Sequence, residues 1–297
     1  MTLRYTSGGA GSAIAAAGFN VADVSYVSAL NELPAGMLGL VYLGEKSGAT
    51  DAFKAKVKPF IGNPKLYGFF LCDEPDARYV PASLLKAESD YIHTTCPGAK
   101  TFISMNNMGS VASPSFMNTY NPANTGIDLY GIGAYPIKAK TLSNPDYAMI
   151  DRMVAAALAS GIPLSAIVPE YQAFGGGNWI SSTGDAFVVP TVAQMQTMLD
   201  RWAKLVPSPQ LEYCYKWSSQ NGDTALGTLP ELQKVFLAHN TATAPAPTPT
   251  PVPTPVPAPI STLTIEGQPA TQAGIDALVA ARNAAQKIIA SVKTLVA

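Results

Sequence analysis

Two glutamates stand out by position. Glu74 directly follows the run YGFFLCD and Glu170 directly follows LSAIVP, so each carboxyl closes a stretch of apolar residues of strand length. Two carboxyls facing one cleft can divide the work of breaking an acetal. One, protonated, assists the departing oxygen, while the other, ionised, attacks carbon or activates water. Other residues near such run ends could hold a polyol: Asp73, Asn106, Tyr135, Gln172, Trp179 and Trp217. Carboxylates and amides hydrogen-bond hydroxyls, and an aromatic face stacks on the C–H face of a sugar ring. Asp23 and Glu45 are secondary candidates. Asp76 reads as a helix cap, Asn106 and Asn107 either as hydroxyl ligands or as a turn, and Gly175–Gly177 as the stem of a loop.

The two glutamates are remote in sequence, so the fold must bring them together. Short apolar runs recur at Leu3–Ser7, Phe19–Val24, Leu38–Leu43, Tyr67–Cys72, Lys100–Met105, Ile127–Ala134, Leu164–Pro169 and Leu211–Trp217. Amphipathic stretches alternate with them, at Gly11–Ala17, Val27–Glu32, Ala49–Phe60, Pro81–Thr95, Pro114–Thr119, Pro145–Ser160, Pro190–Val206 and Leu229–His239. Eight such units within residues 1–240 predict an α/β fold of the (β/α)8 TIM-barrel type, in preference to an open doubly wound sheet. Sites in such barrels lie at the strand C-terminal ends. Glu74 then tops strand four, Tyr135 strand six, Glu170 strand seven and Trp217 strand eight.

In that arrangement the chain resembles the clan of retaining glycoside hydrolases built on this barrel. The resemblance implies Glu74 as acid/base, Glu170 as nucleophile, Tyr135 beside the nucleophile and Trp217 as the floor of a sugar subsite. One position departs from the clan, which usually has Asn before its acid/base Glu where this chain has Asp73. The D-E-P-D run at 73–76 more closely resembles bacterial and phage-associated hydrolase-like barrel proteins. The alternative expectation is a barrel that binds glycan, or decorates a virion, fibre or cell surface, without catalysis.

Composition narrows the partners. The chain is 47% hydrophobic and carries a net charge of −1 with no long basic run, which gives no footprint for nucleic acid. No segment has the length of apolar residues a membrane span needs. Cys72, Cys96 and Cys214 form no C-x-x-C pair and only His93 and His239 are present, so no metal or organic cofactor is expected and the thiols read as core residues. Residues 241–262 form a Pro/Thr-rich linker expected to be extended. Residues 263–297 are expected to end in a helix over 271–297 whose Leu278, Ala281, Ala285, Ile288, Val292 and Leu295 make a short heptad seam, either for self-association or for docking on another surface. No secretory signal is visible; the linker resembles those of modular extracellular hydrolases, a resemblance that implies an extracellular or surface-displayed protein.

Overall fold

The computed structural model describes residues 2–116, 118–220 and 222–242, together with the backbone of 264–265 and 268–269. Eight parallel strands close into a barrel in chain order: β1 (Leu3–Thr6), β2 (Val21–Val24), β3 (Leu38–Tyr42), β4 (Leu66–Cys72), β5 (Lys100–Ser104), β6 (Leu129–Gly133), β7 (Ile167–Gln172) and β8 (Leu211–Tyr215), with β8 pairing back onto β1. Helices follow each strand: α1 (Gly11–Ala16), α2 (Val27–Asn31), α3 (Asp51–Val57), α4 (Ala82–Thr95), α5 (Pro122–Thr125), α6 (Ala148–Ala159), α7 (Val192–Leu205) and α8 (Pro230–Thr241).

Strand alternation sorts the apolar residues into two cores. Each strand sends a residue inward, so that Tyr5, Val21, Leu40, Phe70, Phe102, Leu129, Val168, Leu211 and Tyr213 fill the barrel. Neighbours such as Phe69 and Leu71 point outward to meet Phe53, Leu85, Met198, Trp202 and Phe236 in the layer beneath the helices. Each large side chain so buried contributes roughly 1.5–3 kcal/mol.

Two irregularities matter for the site. The β4–β5 register shifts between Phe70 and Cys72, which turns Cys72 into the outer layer and re-aims the residues beyond it. In β7 the strand runs to Gln172, so Glu170 lies within it, opposite Gly133 on one side and Tyr213 on the other, whereas Leu164–Ala166 is a 3-10 turn. The helix expected at Pro114–Thr119 forms instead at Pro122–Thr125. There Asn121 caps Asn124 N–H at 3.1 Å, proline occupies the first turn, and Gly126 closes the helix at φ 65°. All three cysteines are buried and free, as the separation of β4 from β8 requires.

The chain divides into compact units at 1–242 and 243–297. In the second, Thr264–Ile265 pairs antiparallel with Gln268–Pro269. The rest of the expected linker at 241–262 beyond Ala242, and the heptad helix over 271–297, lie outside the described residues. Among the described residues no helix is long and apolar enough to cross a membrane.

Candidate active site

Glu170 sits at the mouth of the barrel with only 2% of its surface exposed. Its room comes from β6, where glycines alternate on the inward face. A methyl at Gly131 would lie 2.0 Å from Glu170 Oε1, and one at Gly133 would lie 3.0 Å from Oε2. Two hydroxyls fix the carboxyl. Ser104 Oγ, the last residue of β5, donates to Oε1 at 2.7 Å, and Tyr135 OH donates to Oε2 at 3.0 Å. Burial pushes the Glu170 carboxyl up to about 8, with the charges of Asp73 and Glu74 adding to the rise, while the two hydroxyl donors pull the other way.

Glu74 projects from the segment re-aimed by the β4 bulge. Its backbone is left-handed at φ 41°, unusual for a residue with a side chain, and its N–H donates to Ser104 O at 3.1 Å. Its side chain and that of Asp73 open to solvent, yet the cleft walls strip enough water from both carboxyls to raise them. Asp73 raises Glu74 further, and Lys46 opposes the rise at Asp73. Asp23, at the end of β2, accepts from Gly8 N–H and is likewise raised by burial. Burial, with the charges of Asp73 and Glu170 adding to it, raises the hydroxyls of Tyr5, Tyr213 and Tyr215.

The structure thus brings Asp73, Glu74, Tyr135 and Glu170 together. Gln172 and Trp217 are committed to other contacts, whereas Trp179 lies beside Tyr215 at the edge of the cleft. Gln172 is fully buried and its amide is committed to backbone: Oε1 accepts from Ile137 N–H at 2.9 Å, and Nε2 donates to Ile137 O at 2.9 Å and Val188 O at 3.1 Å. It clamps the loops after β6 and β7 and has no capacity left for a sugar. Trp217 packs edge-on to Phe19 at 6.3 Å and against Gly9 and Gly227, on the side of the outer core, because β8 ends two residues earlier at Tyr215. Tyr215 takes the cleft-side position, stacked on Tyr135 at 6.1 Å and 21°. Trp179 is half-buried among Phe174, Tyr215 and Lys216, whose Nζ sits 4.8 Å from its ring centroid. Asn106 is half-buried, whereas Asn107 forms a turn by accepting from Gly109 and Ser115 N–H at 3.0 Å. Asp76 pairs with Arg78, and Glu45 with Lys56 at 2.5 Å.

Sequence reasoning missed Ser104, Gly131, Gly133 and Tyr215. A signal existed. Ser104 shares the face of Phe102 two residues on, and LYGIG alternates glycine at the spacing of one strand face. It also missed the ion pair of Lys216 with Asp223 at 2.9 Å, whose side chains are 1% and 0% exposed and which holds the loop after β8. Among the described residues no cluster of His, Cys, Asp and Glu is arranged to hold a metal ion.

No protein-family model matches the chain, and no curated protein matches it. Solved structures do. A GH18 chitinase from Cycas revoluta in complex with (GlcNAc)3 aligns at a TM-score of 0.50 and 10% identity, over 80% of this chain and 99% of that one. The C-terminal domain of a putative chitinase from Desulfitobacterium hafniense aligns at 0.50 and 11%, over 80% and 99%. At these identities the likeness concerns the fold alone: the chain is a (β/α)8 barrel.

Proposed function

We propose that the barrel is a retaining O-glycosyl hydrolase acting on a polysaccharide or cell-surface glycan, with Glu74 as acid/base and Glu170 as nucleophile. The observation that carries this reading is the convergence of Glu74, Asp73 and Glu170 at the barrel mouth, with Ser104 and Tyr135 fixing both oxygens of Glu170. In the first step ionised Glu170 attacks the anomeric carbon while Glu74 gives its proton to the leaving oxygen. Bond formation removes the charge of Glu170, which lowers the proton affinity of Glu74 and turns it into the base that draws a proton from water in the second step. Asp73, raised by burial, either donates to a sugar hydroxyl when protonated or accepts from one when ionised. The fold likeness to chitinases, one of them solved with (GlcNAc)3, is in keeping with a glycan.

The test is a panel of glycans and aryl glycosides with wild type and Glu74→Gln. The variant is expected to lose about 10²–10⁴-fold on glycans, which need the proton, and much less on aryl glycosides with acidic leaving groups. Unchanged rates on both would end the proposal.

The hydroxyl of Tyr135 makes a second prediction. Its donation favours ionised Glu170, so Tyr135→Phe raises the carboxyl further. The acidic limb of the kcat/KM profile, where Glu170 must ionise, is expected to move to higher pH. A limb that stays put or moves down would remove Tyr135 from this role.

One observation favours a second reading, a barrel that binds glycan without cutting it. Burial keeps Glu170 largely protonated at neutral pH, and a protonated carboxyl donates a hydrogen bond to a sugar but does not attack carbon.

A further inference from the structure

Beside the cleft, between the ends of β2 and β3 and the helix α3, lies a groove of about 430 Å3 that none of the catalytic chemistry uses. Tyr26, Tyr42, Pro59, Phe60 and Lys56 line it. Its size falls within the range of small-ligand sites, roughly 300–1,000 Å3.

Tyr26 is 72% exposed, and its side chain has no hydrogen bond or ring partner among the described residues. An open tyrosine ring bordering a groove offers a flat face on which the C–H face of a sugar ring can stack. Tyr42 connects the groove to the cleft. Its ring packs edge-on to Phe70 of the inner barrel at 5.1 Å, and burial together with the charges of Asp73 and Asp23 raises its hydroxyl. Nothing in the groove asks for an ion, because Lys56 is already neutralised by Glu45 at 2.5 Å and donates to Leu43 O at 3.0 Å.

We infer that the groove is an outer subsite for a neutral pyranose of the same chain whose scissile bond lies at Glu74 and Glu170, with Tyr26 as the stacking face, an inference that rests on the glycan reading of the cleft. The ligand is therefore an oligosaccharide long enough to pass Tyr42, and affinity grows with chain length.

The experiment titrates full-length Glu170→Gln protein, alone and combined with Tyr26→Ala or Tyr26→Phe, calorimetrically with dimers and hexamers of β-1,4-linked glucose, mannose and N-acetylglucosamine. For a series that binds, Tyr26→Ala is expected to weaken the hexamer by about tenfold while leaving the dimer unchanged. Tyr26→Phe keeps the ring and retains the hexamer affinity. Equal hexamer affinities in the Tyr26→Ala and parent proteins overturn the subsite, as does a concentration-dependent dimer in light scattering that Tyr26→Ala abolishes. A length preference that depends on Tyr26, in a protein whose wild type cleaves none of the sugars, supports the subsite and sinks the hydrolase reading. Failure of every series to bind sinks both.

Discussion

Replacing Glu170 by glutamine is expected to abolish turnover and to make the folded barrel more stable at neutral pH. The loss of rate follows from removing a covalent nucleophile, on a scale of about 10⁴-fold or more. The gain in stability follows from the burial of the carboxyl. Folding raises Glu170 from 4.5 to about 8, so its stabilising contribution is complete below about pH 4.5 and is lost as the pH climbs towards 8, because the unfolded chain ionises freely while the fold resists. At ~1.36 kcal/mol per pH unit, that interval is worth at most ~5 kcal/mol. Glutamine has nearly the same shape, carries no charge and can still accept from Ser104, so it escapes the penalty. Thermal unfolding of wild type and Glu170→Gln between pH 4.5 and 8.5 checks this. The two melting temperatures should converge at the acidic end and separate by several degrees at the alkaline end. Glu88, pushed up to about 7 by burial, titrates in the same range, but it is common to both proteins and cancels in the difference. A constant offset across the range, or a less stable variant at pH 8, would refute the account.

The second large effect is expected at Gly131. An alanine methyl there would stand 2.0 Å from Glu170 Oε1, 2.9 Å from Phe102 Cζ and 3.0 Å from Glu170 Cδ. A carboxyl end is usually free to swing aside, but this one is buried and tied to Ser104 and Tyr135. Phe102 is packed in the inner core and cannot yield either. Gly131→Ala should therefore cost about 1–3 kcal/mol of stability as overpacking, and should lower kcat by about 10²-fold through misplacement of Glu170. In a Glu170→Ala background only the milder 2.9 Å contact with Phe102 Cζ remains, so the same substitution should cost less stability. Equal costs in the two backgrounds would place the strain somewhere other than at Glu170.

Much of the scaffold could be read from the chain because eight apolar runs alternate with amphipathic ones at regular spacing, and each run supplied a barrel strand. The boundaries that failed did so for local reasons. Pro169 looks like a strand terminator, yet β7 continues through it, so Glu170 is a strand residue and not a loop residue. The α5 helix was misplaced although Asn121-Pro122 carries the cap and first-turn proline that mark a start. At the site, Glu74, Asp73, Tyr135 and Glu170 were legible because each stands at the end of an apolar run. Ser104 and the two β6 glycines were not, because what they do depends on a carboxyl from the neighbouring strand. Trp217 and Gln172 were read by residue type, and only the end of β8 and the buried amide contacts assign them to packing and clamping.

The clamp has a mechanical consequence. Gln172 joins the loops after β6 and β7, the pair Phe174–Gly175 with Thr224–Ala225 joins those after β7 and β8, and Lys138 bridges to Phe187 across the first two. Three successive loops are thereby stitched into one stiff slab on the Glu170 side. Loosening one of the three, as Gln172→Ala would, is therefore expected to loosen the other two with it.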